Sequence, residues 1–584
     1  MKSTPRFDHL HKSLPEPLRT LLLKDTVMEL TAAWKFFARL DSARPALLYM
    51  SGYSACALSL ARHFSRVDVI GPNAEEQALL AEVAAAKNIS NLGFLRSGED
   101  LVSAYAAIFL LSDRVAPQQT LLPALLAKLA MIQDGEEEWW IVAREVPRLK
   151  ITRRGKNFLE RWRTHLATKD LPSGLRLLFA PSVFMKVAQL PEMLAQRAPS
   201  YQGELRLVPH FSAPKYAVLP FKWKKQNDIF ENLRAQKPLP AEHTLLRFSN
   251  ANAAPSFLQR LLFHLNRGGA HAWQVGRQYR VLPGGKVQIE LACDHAAAPA
   301  LLKLPLIPQA QARMRENANH LVRLAQAKAL QPEYRQFFPQ SLAEGVFETQ
   351  AFYLESFLSG RSIDQLPAAQ RSPALIDNVF ALWFAVQKRM SRRVKITAPL
   401  FESVFVDLSE RMLAWLKLEP NDRQRLQRVV AHWHKTFAGR ELGLGIVHGD
   451  FSIKNILVDP GAQKVSGLID WDLADFFSIP LLDVLHFFVR LDARSFQEAP
   501  PAIALRLIRA PEGAARGFFR QAAELHGYEP EDWPAIVTLY WLFRMRGYLG
   551  SSKRADAKFM RRQVSEVLTL FEQELLSPRA GVVV

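Results

Sequence analysis

The chain is short of cysteine. Cys56 and Cys293 are the only two in 584 residues. A distant pair makes neither a disulfide framework nor a zinc cluster, and it points to a reducing compartment. Long apolar runs are also missing. No stretch approaches the roughly 18 residues that would suggest a membrane span; YAAIFLL (105–111) has the length of a buried strand. The opening MKSTPRFDHLHKSLPEPLRT has no apolar segment and no small-residue cleavage site, so no secretory signal is expected. There is no internal repeat and no low-complexity tract. A cytoplasmic location is therefore expected, with a peripheral position at the inner face of a membrane left open.

What is present is ordinary in bulk and unusual in charge. Hydrophobic residues are 49% and charged residues 22%, the texture of a soluble globular protein with more than one core. The net charge is +19. Nucleic acid, an anionic membrane face and a phosphorylated or acidic substrate would each suit it, and so would a solvated basic surface. RLKITRRGKNFLERWRTH (148–165) and RMRGYLGSSKRADAKFMRR (544–562) concentrate the cations with aromatics among them. That mixture fits stacking, an interface, or ordinary amphipathic helices. No RNA or DNA module is recognisable, so nucleic acid is set aside. Contact with an anionic membrane surface stays open.

Along the chain, ALLYM (46–50), RVDVI (66–70), NLGFL, YAAIFLL and WWIVA are strand-like runs separated by helical segments such as AEEQALLAEVAAAK. Alternation of this kind predicts an α/β domain, a doubly wound and mainly parallel sheet, over 1–200. The texture becomes proline-rich and weakly periodic after about residue 185, and 201–239 reads as a junction, part of which could be strands at the end of the first domain. QYRVLPGGKVQIEL carries a Pro-Gly-Gly hairpin signal. PALLKLPLI and FETQAFYLESFLSGRSID add strands, and the rest is mostly helical to about 576. An α+β, two-lobed domain is expected over 240–576, with lobes 240–356 and 357–576. Residues 577–584 are expected to form a loose tail.

HGDFSIKN (448–455) lies between the apolar runs GLGIV and ILV, and LIDWD (468–472) follows another apolar run. A polar turn between strands would explain the first stretch alone. Phosphoryl transfer would explain both. It needs hard oxygen ligands for magnesium and a carboxylate to orient or deprotonate the attacking hydroxyl. Asp450 can do the second. Asn455, five residues on, and Asp470, returned by a strand pair, can do the first.

The stretch resembles the aminoglycoside phosphotransferase and choline kinase family, which has a protein-kinase-like fold. Its loop reads H-G-D-x-x-x-x-N and its metal motif I-D-W or I-D-F. Carried over residue by residue, Asp450 matches the catalytic base, and Asn455 and Asp470 match the Mg2+ ligands. His448 matches a loop-packing residue, and Asp483 stands where the family often has a supporting Asp. The resemblance further implies Lys303 on the phosphates of ATP with Glu316, thirteen residues later, as its partner. It makes YLESFLSGRSID the hinge, with Glu355 and Phe357 offering backbone groups to adenine. The implied activity is transfer from ATP to a hydroxyl of a small molecule or sugar, with cell-surface polysaccharide metabolism as one setting.

The segment from 30 to 190 resembles an S-adenosylmethionine-dependent methyltransferase in its order of strand, turn, helix and strand. It departs from that pattern at Ser51-Gly52-Tyr53-Ser54-Ala55, which has a single glycine. RVDVI ends in Gly71-Pro72, where an acid would take the ribose. Asp68 lies inside the strand, and either Asp113 of LLSDR or Glu99 of SGED could stand in for the missing acid. A degenerate methyltransferase-like domain is therefore expected. S-adenosylmethionine binding, a bifunctional methyltransferase-kinase and a non-catalytic scaffold remain as alternatives.

Overall fold

The computed structural model describes Phe36 and, with short gaps, residues 43–71, 74–95, 101–111, 138–144, 200–208, 216–218, 243–249, 255–267, 272–293, 299–546 and 564–576. The basic tract 148–165, most of 544–562, Ser51–Ser54, Glu99, Asp113 and the tail lie outside the described residues. The chain divides into two compact units, Met1–Ala297 and Ala298–Val584.

In the first unit, β1 (Ala46–Met50), α1 (Ala55–Ala61), β2 (Val67–Ile70), α2 (Ala74–Ala86), β3 (Leu92–Leu95), β4 (Ala107–Leu111) and β5 (Glu138–Arg144) follow one another. Strand β1 pairs in parallel with both β2 and β4. Strand β3 adds in parallel beyond β2, and β5 beyond β4. All four residues of β2 are buried, as expected of a parallel strand covered on both faces. The chain builds outward from β1 to one side, then returns to the other. The order reverses between β1 and β4, and the crevice of such a sheet lies beyond the carboxyl ends of these strands.

The expected junction carries strands. β6 (Ser200–Val208), β7 (Tyr216–Val218) and β8 (His243–Ser249) extend this sheet. β8 lies antiparallel to both β5 and β6. After α3 (Phe257–Arg267) come β9 (Trp273–Leu282) and β10 (Lys286–Cys293), an antiparallel hairpin. Gly285 supplies its positive φ of 75°, the left-handed conformation that only glycine adopts freely.

The second unit opens with β11 (Ala300–Pro305) and α4 (Pro308–Gln326), then β12 (Ser341–Phe347) and β13 (Gln350–Ser356). β13 lies between β12 and β11, antiparallel to both. Pro308 starts α4 at a position whose N–H needs no partner. The helix turns Ala310, Met314, Asn317, Ala318, Leu321 and Leu324 inward.

β14 (Arg361–Ser362) then leads to α5 (Pro373–Met390), capped by Ser372, whose side chain accepts from the Leu375 amide. β15 (Arg392–Lys395), α6 (Pro420–Phe437), β16 (Glu441–Val447), β17 (Ile456–Asp459), β18 (Lys464–Leu468) and β19 (Asp475–Ser478) follow, then helices α7 (Leu481–Leu491), α8 (Pro500–Arg509), α9 (Ala514–His526), α10 (Trp533–Arg546) and α11 (Glu566–Leu576). One apolar core binds these elements. Phe380 of α5 stacks on Phe488 of α7 and Phe518 of α9, with centroids 5.4 and 4.3 Å away. Trp433 of α6 is fully buried, and its indole N–H donates to Thr538 of α10 at 2.7 Å.

Candidate active site

Residues 448–455 join the buried strand β16 to β17. Two backbone amides, of His448 and Gly449, donate to the two carboxylate oxygens of Asp483 at 2.7 and 3.0 Å. Asp483 is fully enclosed on α7, and burial pushes its pKa up to about 6 although these donors and nearby His448 pull it down. Gly449 has φ 83°, and a Cβ there would stand 2.3 Å from the Leu473 carbonyl oxygen. The loop can take this path only with glycine. The His448 ring spans the loop: Nδ1 accepts from the Asp450 amide at 3.3 Å, and Nε2 donates to the Ile469 carbonyl at 3.0 Å. His448 therefore packs the loop and Asp483 supports it.

These anchors present Asp450, whose side chain keeps 42% of its exposure. One carboxylate oxygen receives Nε2 of His486 at 2.7 Å. The other receives Nδ2 of Asn455 at 2.8 Å, and the same amide nitrogen also reaches the Asp450 carbonyl at 2.9 Å. Burial pushes the Asp450 carboxyl up, but the hydrogen bond from His486 and the nearby imidazoles outweigh it, and the pKa ends below the usual carboxylate range. Asp470 lies close enough to act on Asp450 in the opposite sense.

With both Nδ2 hydrogens of Asn455 committed, its Oδ1 is left as an acceptor. The Ile469 amide donates to the Asn455 carbonyl at 2.9 Å, which brings the two motifs side by side. Asp470 takes a left-handed backbone, φ 67°, a conformation that non-glycine residues adopt mainly where function or local bonding holds them. An amide oxygen and a carboxylate suit a hard divalent cation such as Mg2+.

Trp471 locks the second motif. Its indole N–H donates to Leu468 at 2.9 Å, and its ring lies against Phe338 and His448. Helix α4 grips its backbone. Asn317 Oδ1 accepts from the Trp471 amide at 2.9 Å, and His320 Nδ1 meets the Trp471 carbonyl at 2.7 Å.

Lys303 sits on β11 with its side chain 6% exposed. Its partner is Glu355 of β13, Nζ to Oε1 2.6 Å, and not Glu316. Asn317 Nδ2 donates to the other Glu355 oxygen at 3.0 Å, so one asparagine ties the lysine pair to Trp471. Glu316 is 57% exposed and faces His320 at 3.9 Å. The reason is helical phase. Met314, Asn317, Ala318 and Leu321 form the inward stripe of α4, and residue 316 is about 100° away from 317.

At the expected adenine edge, two backbone N–H groups already have partners. The Phe357 amide donates to the Pro299 carbonyl, and the Ser356 amide to Gln340, each at 2.9 Å. The Phe357 N–H is thus engaged, and Glu355 contributes a buried side chain to the lysine. Asn317, His320 and His486 are residues that sequence reasoning missed. The inward stripe of α4 was a signal for Asn317, and the Asp483–His486 spacing, three residues on one helix face, was one for His486.

In the first unit, Asp68 is the second residue of β2, in register with Leu47 and Gly93. Its carboxylate accepts from Arg66 Nε at 2.7 Å and Tyr105 OH at 3.1 Å. A Cβ on Gly93 would fall 2.7 Å from it. Asp68 is therefore a tie near the amino end of the sheet, while the crevice lies at the carboxyl end.

Residues 288–534 match the model of the phosphotransferase enzyme family. The C-terminal region, of mixed helix and sheet, thus carries the likeness to that family. No curated protein matches the chain. Among solved structures, the aminoglycoside phosphotransferase APH(3'')-Id from Streptomyces rimosus, in complex with ADP and streptomycin, is 15% identical; the match covers 49% of this chain and 97% of that one, with a TM-score of 0.30. ADP-bound APH(2'')-Ib is 16% identical over 54% and 98%, TM-score 0.34. The mitomycin 7-O-methyltransferase MmcR is 10% identical over 42% and 60%, TM-score 0.22.

Proposed function

We propose that the protein transfers the terminal phosphoryl group of ATP to a hydroxyl of a small molecule or sugar, with Mg2+, through residues of the 240–576 region. The observation that carries this reading is the Asp450–Asn455–Asp470 cluster on two adjoining loops, within the stretch that matches the phosphotransferase family.

In this reading Asp450 accepts a hydrogen bond from the acceptor hydroxyl and takes its proton as the new P–O bond forms and the bond from the terminal phosphorus to the bridging oxygen breaks, releasing ADP. Its two existing donors, His486 and Asn455, fix the carboxylate so that the hydroxyl meets a pre-set oxygen. Asn455 Oδ1 and the Asp470 carboxylate would hold Mg2+, which supplies charge neutralisation on the phosphates. Lys303 keeps one N–H on Glu355 and has two more for phosphate oxygens. Calorimetry of ATP binding with and without Mg2+, for wild type and Asp470→Asn, tests the reading. Magnesium-dependent binding that the variant loses is expected; no binding by either protein would overturn it.

The first unit is read as methyltransferase-like in fold, without an ordinary ribose-binding acid on β2, because Asp68 is committed to Arg66 and Tyr105. Cell-surface polysaccharide metabolism is a setting compatible with a sugar acceptor. Among the described residues no helix is long and apolar enough to cross a membrane.

A further inference from the structure

His486 lies on α7, three residues after Asp483, and is 6% exposed. Its two ring nitrogens face different chemistry. Nε2 is 2.7 Å from Asp450 Oδ1. Nδ1 is 3.1 Å from Tyr540 OH and 3.2 Å from an Arg544 guanidinium nitrogen. The same Arg544 nitrogen donates to Tyr540 OH at 3.2 Å.

Arginine has donors only. A nitrogen that faces it must be an acceptor, so Nδ1 carries no proton. Tyr540, receiving from Arg544, has its own O–H to give to the same nitrogen. The single proton of the neutral ring then belongs on Nε2, where Asp450 receives it. Burial, with Arg544 and Arg490 nearby, opposes a second proton and keeps the ring uncharged near neutrality, although Asp450 favours the charged form.

We propose that His486 is a positioning residue for Asp450: Arg544 and Tyr540 fix its tautomer, and its Nε2–H holds the carboxylate that receives the proton of the acceptor. The arrangement gives Asp450 a directed donor, so the carboxylate stays ionised and one of its oxygens is fixed in direction for the acceptor hydroxyl. Arg544 acts two contacts away from the reacting hydroxyl, through the ring. This inference rests on the phosphotransferase reading for its catalytic content, and on the hydrogen-bond geometry alone for the tautomer.

The test uses the full chain and two independent readouts. Two-bond 1H–15N correlation of 15N-histidine-labelled protein at pH 7 is expected to show the His486 proton on Nε2, with a resonance that shifts in Asp450→Ala. A proton on Nδ1, or an Nε2–H signal indifferent to Asp450→Ala, overturns the proposal. In parallel, ADP release from magnesium ATP is followed. His486→Leu is expected to lower kcat by about 100-fold, the low end of what the proton acceptor itself contributes, because Asp450 keeps only its Asn455 donor, with KM for ATP unchanged. His486→Gln, which offers an N–H at a reach similar to Nε2, is expected to recover most of the loss. Full activity in His486→Leu, or no recovery in a folded His486→Gln, overturns the proposal. A wild-type protein that neither binds nor consumes ATP while the Nε2–H answers to Asp450 overturns the phosphotransferase reading instead and leaves the tautomer assignment supported.

Discussion

Each unit of the chain has a carboxylate held by hydrogen bonds, and the two are held differently. Asp68 is buried, with Arg66 and Tyr105 directed at it and Gly93 left bare to make room. Asp450 also has two side-chain donors, but it keeps 42% of its exposure. Asp68 sits near the amino end of its strand, away from the crevice. Asp450 sits on a loop, braced from below by Asp483 and His448. A carboxylate enclosed by its partners contributes to stability; one that is braced yet open can meet a ligand.

Asparagine at each position should separate these roles most sharply. Asp450→Asn removes the proton acceptor, and kcat for ADP release should fall about 10²- to 10⁴-fold with little change in melting temperature. Asp68→Asn should leave that rate unchanged and lower stability by about 1–3 kcal/mol, as the Arg66 and Tyr105 contacts weaken. Equal rate losses from the two substitutions would erase the distinction.

The lysine pair supplies the next effect. Lys303 and Glu355 are both nearly enclosed. Removing one partner of a buried pair leaves a charge without compensation and costs about 3–5 kcal/mol. Lys303→Met should therefore reduce stability by roughly that amount in denaturant titration, in addition to weakening ATP binding. Lys303→Met with Glu355→Leu should regain much of the stability and none of the binding. A double variant no more stable than the single one would argue that the pair contributes little.

How far the sequence reveals this site depends on how local each part is. Asp450, Asn455 and Asp470 lie within about twenty residues, on a loop and a strand return whose apolar flanks are visible by inspection. His448 and Asp483 were legible only through the family resemblance, since no local pattern assigns their roles. Glu355 and Asn317 were harder. Glu355 meets Lys303 because β13 pairs with β11, so the contact depends on strand order and register that no local pattern encodes. Its place in a hinge-like motif drew attention to its backbone and away from its side chain. In the first unit the alternation of strands and helices was legible; in 201–239 strands were one option, but their positions and partners were not legible. Its proline-rich texture hid β6 and β7, which gain their partners from β8 and β9 far along the chain.

Acid should test the second unit through its buried histidines. Burial, aided by Arg544 and Arg393, lowers His486 and His526 to about 4, and burial with Lys435 moves His432 the same way. A histidine with a lowered folded pKa binds more protons when unfolded, so its stabilising effect is complete above about pH 6.5 and fades as pH falls towards 4. Asp483, raised to about 6, opposes this: between its unfolded value and 6 the folded state holds the extra proton. The histidines outnumber it. Melting temperature should decline from pH 6.5 downwards, and His526→Phe should flatten part of that decline. A melting temperature constant from pH 7 to 4.5 would contradict the enclosure of both rings.

The smallest effect concerns two adjacent residues of α4. Glu316 is exposed and 3.9 Å from His320, so Glu316→Gln should change stability by no more than about 0.5 kcal/mol, as surface substitutions usually do, and leave ATP binding intact. Asn317→Ala, one position on, strips donors and acceptors from the buried Trp471 amide and from Glu355. Each polar group left without a partner costs about 1–3 kcal/mol. The damage should extend to magnesium-dependent binding, because Trp471 follows Asp470 directly. If Glu316→Gln instead weakened ATP binding as Lys303→Met does, α4 would have to rotate by about a quarter turn. That rotation would take Asn317 off Trp471 and expose the Met314 and Leu321 stripe. The null effect at 316 is thus a direct check on the phase of the helix that joins the lysine pair to the loop of Asp470 and Trp471.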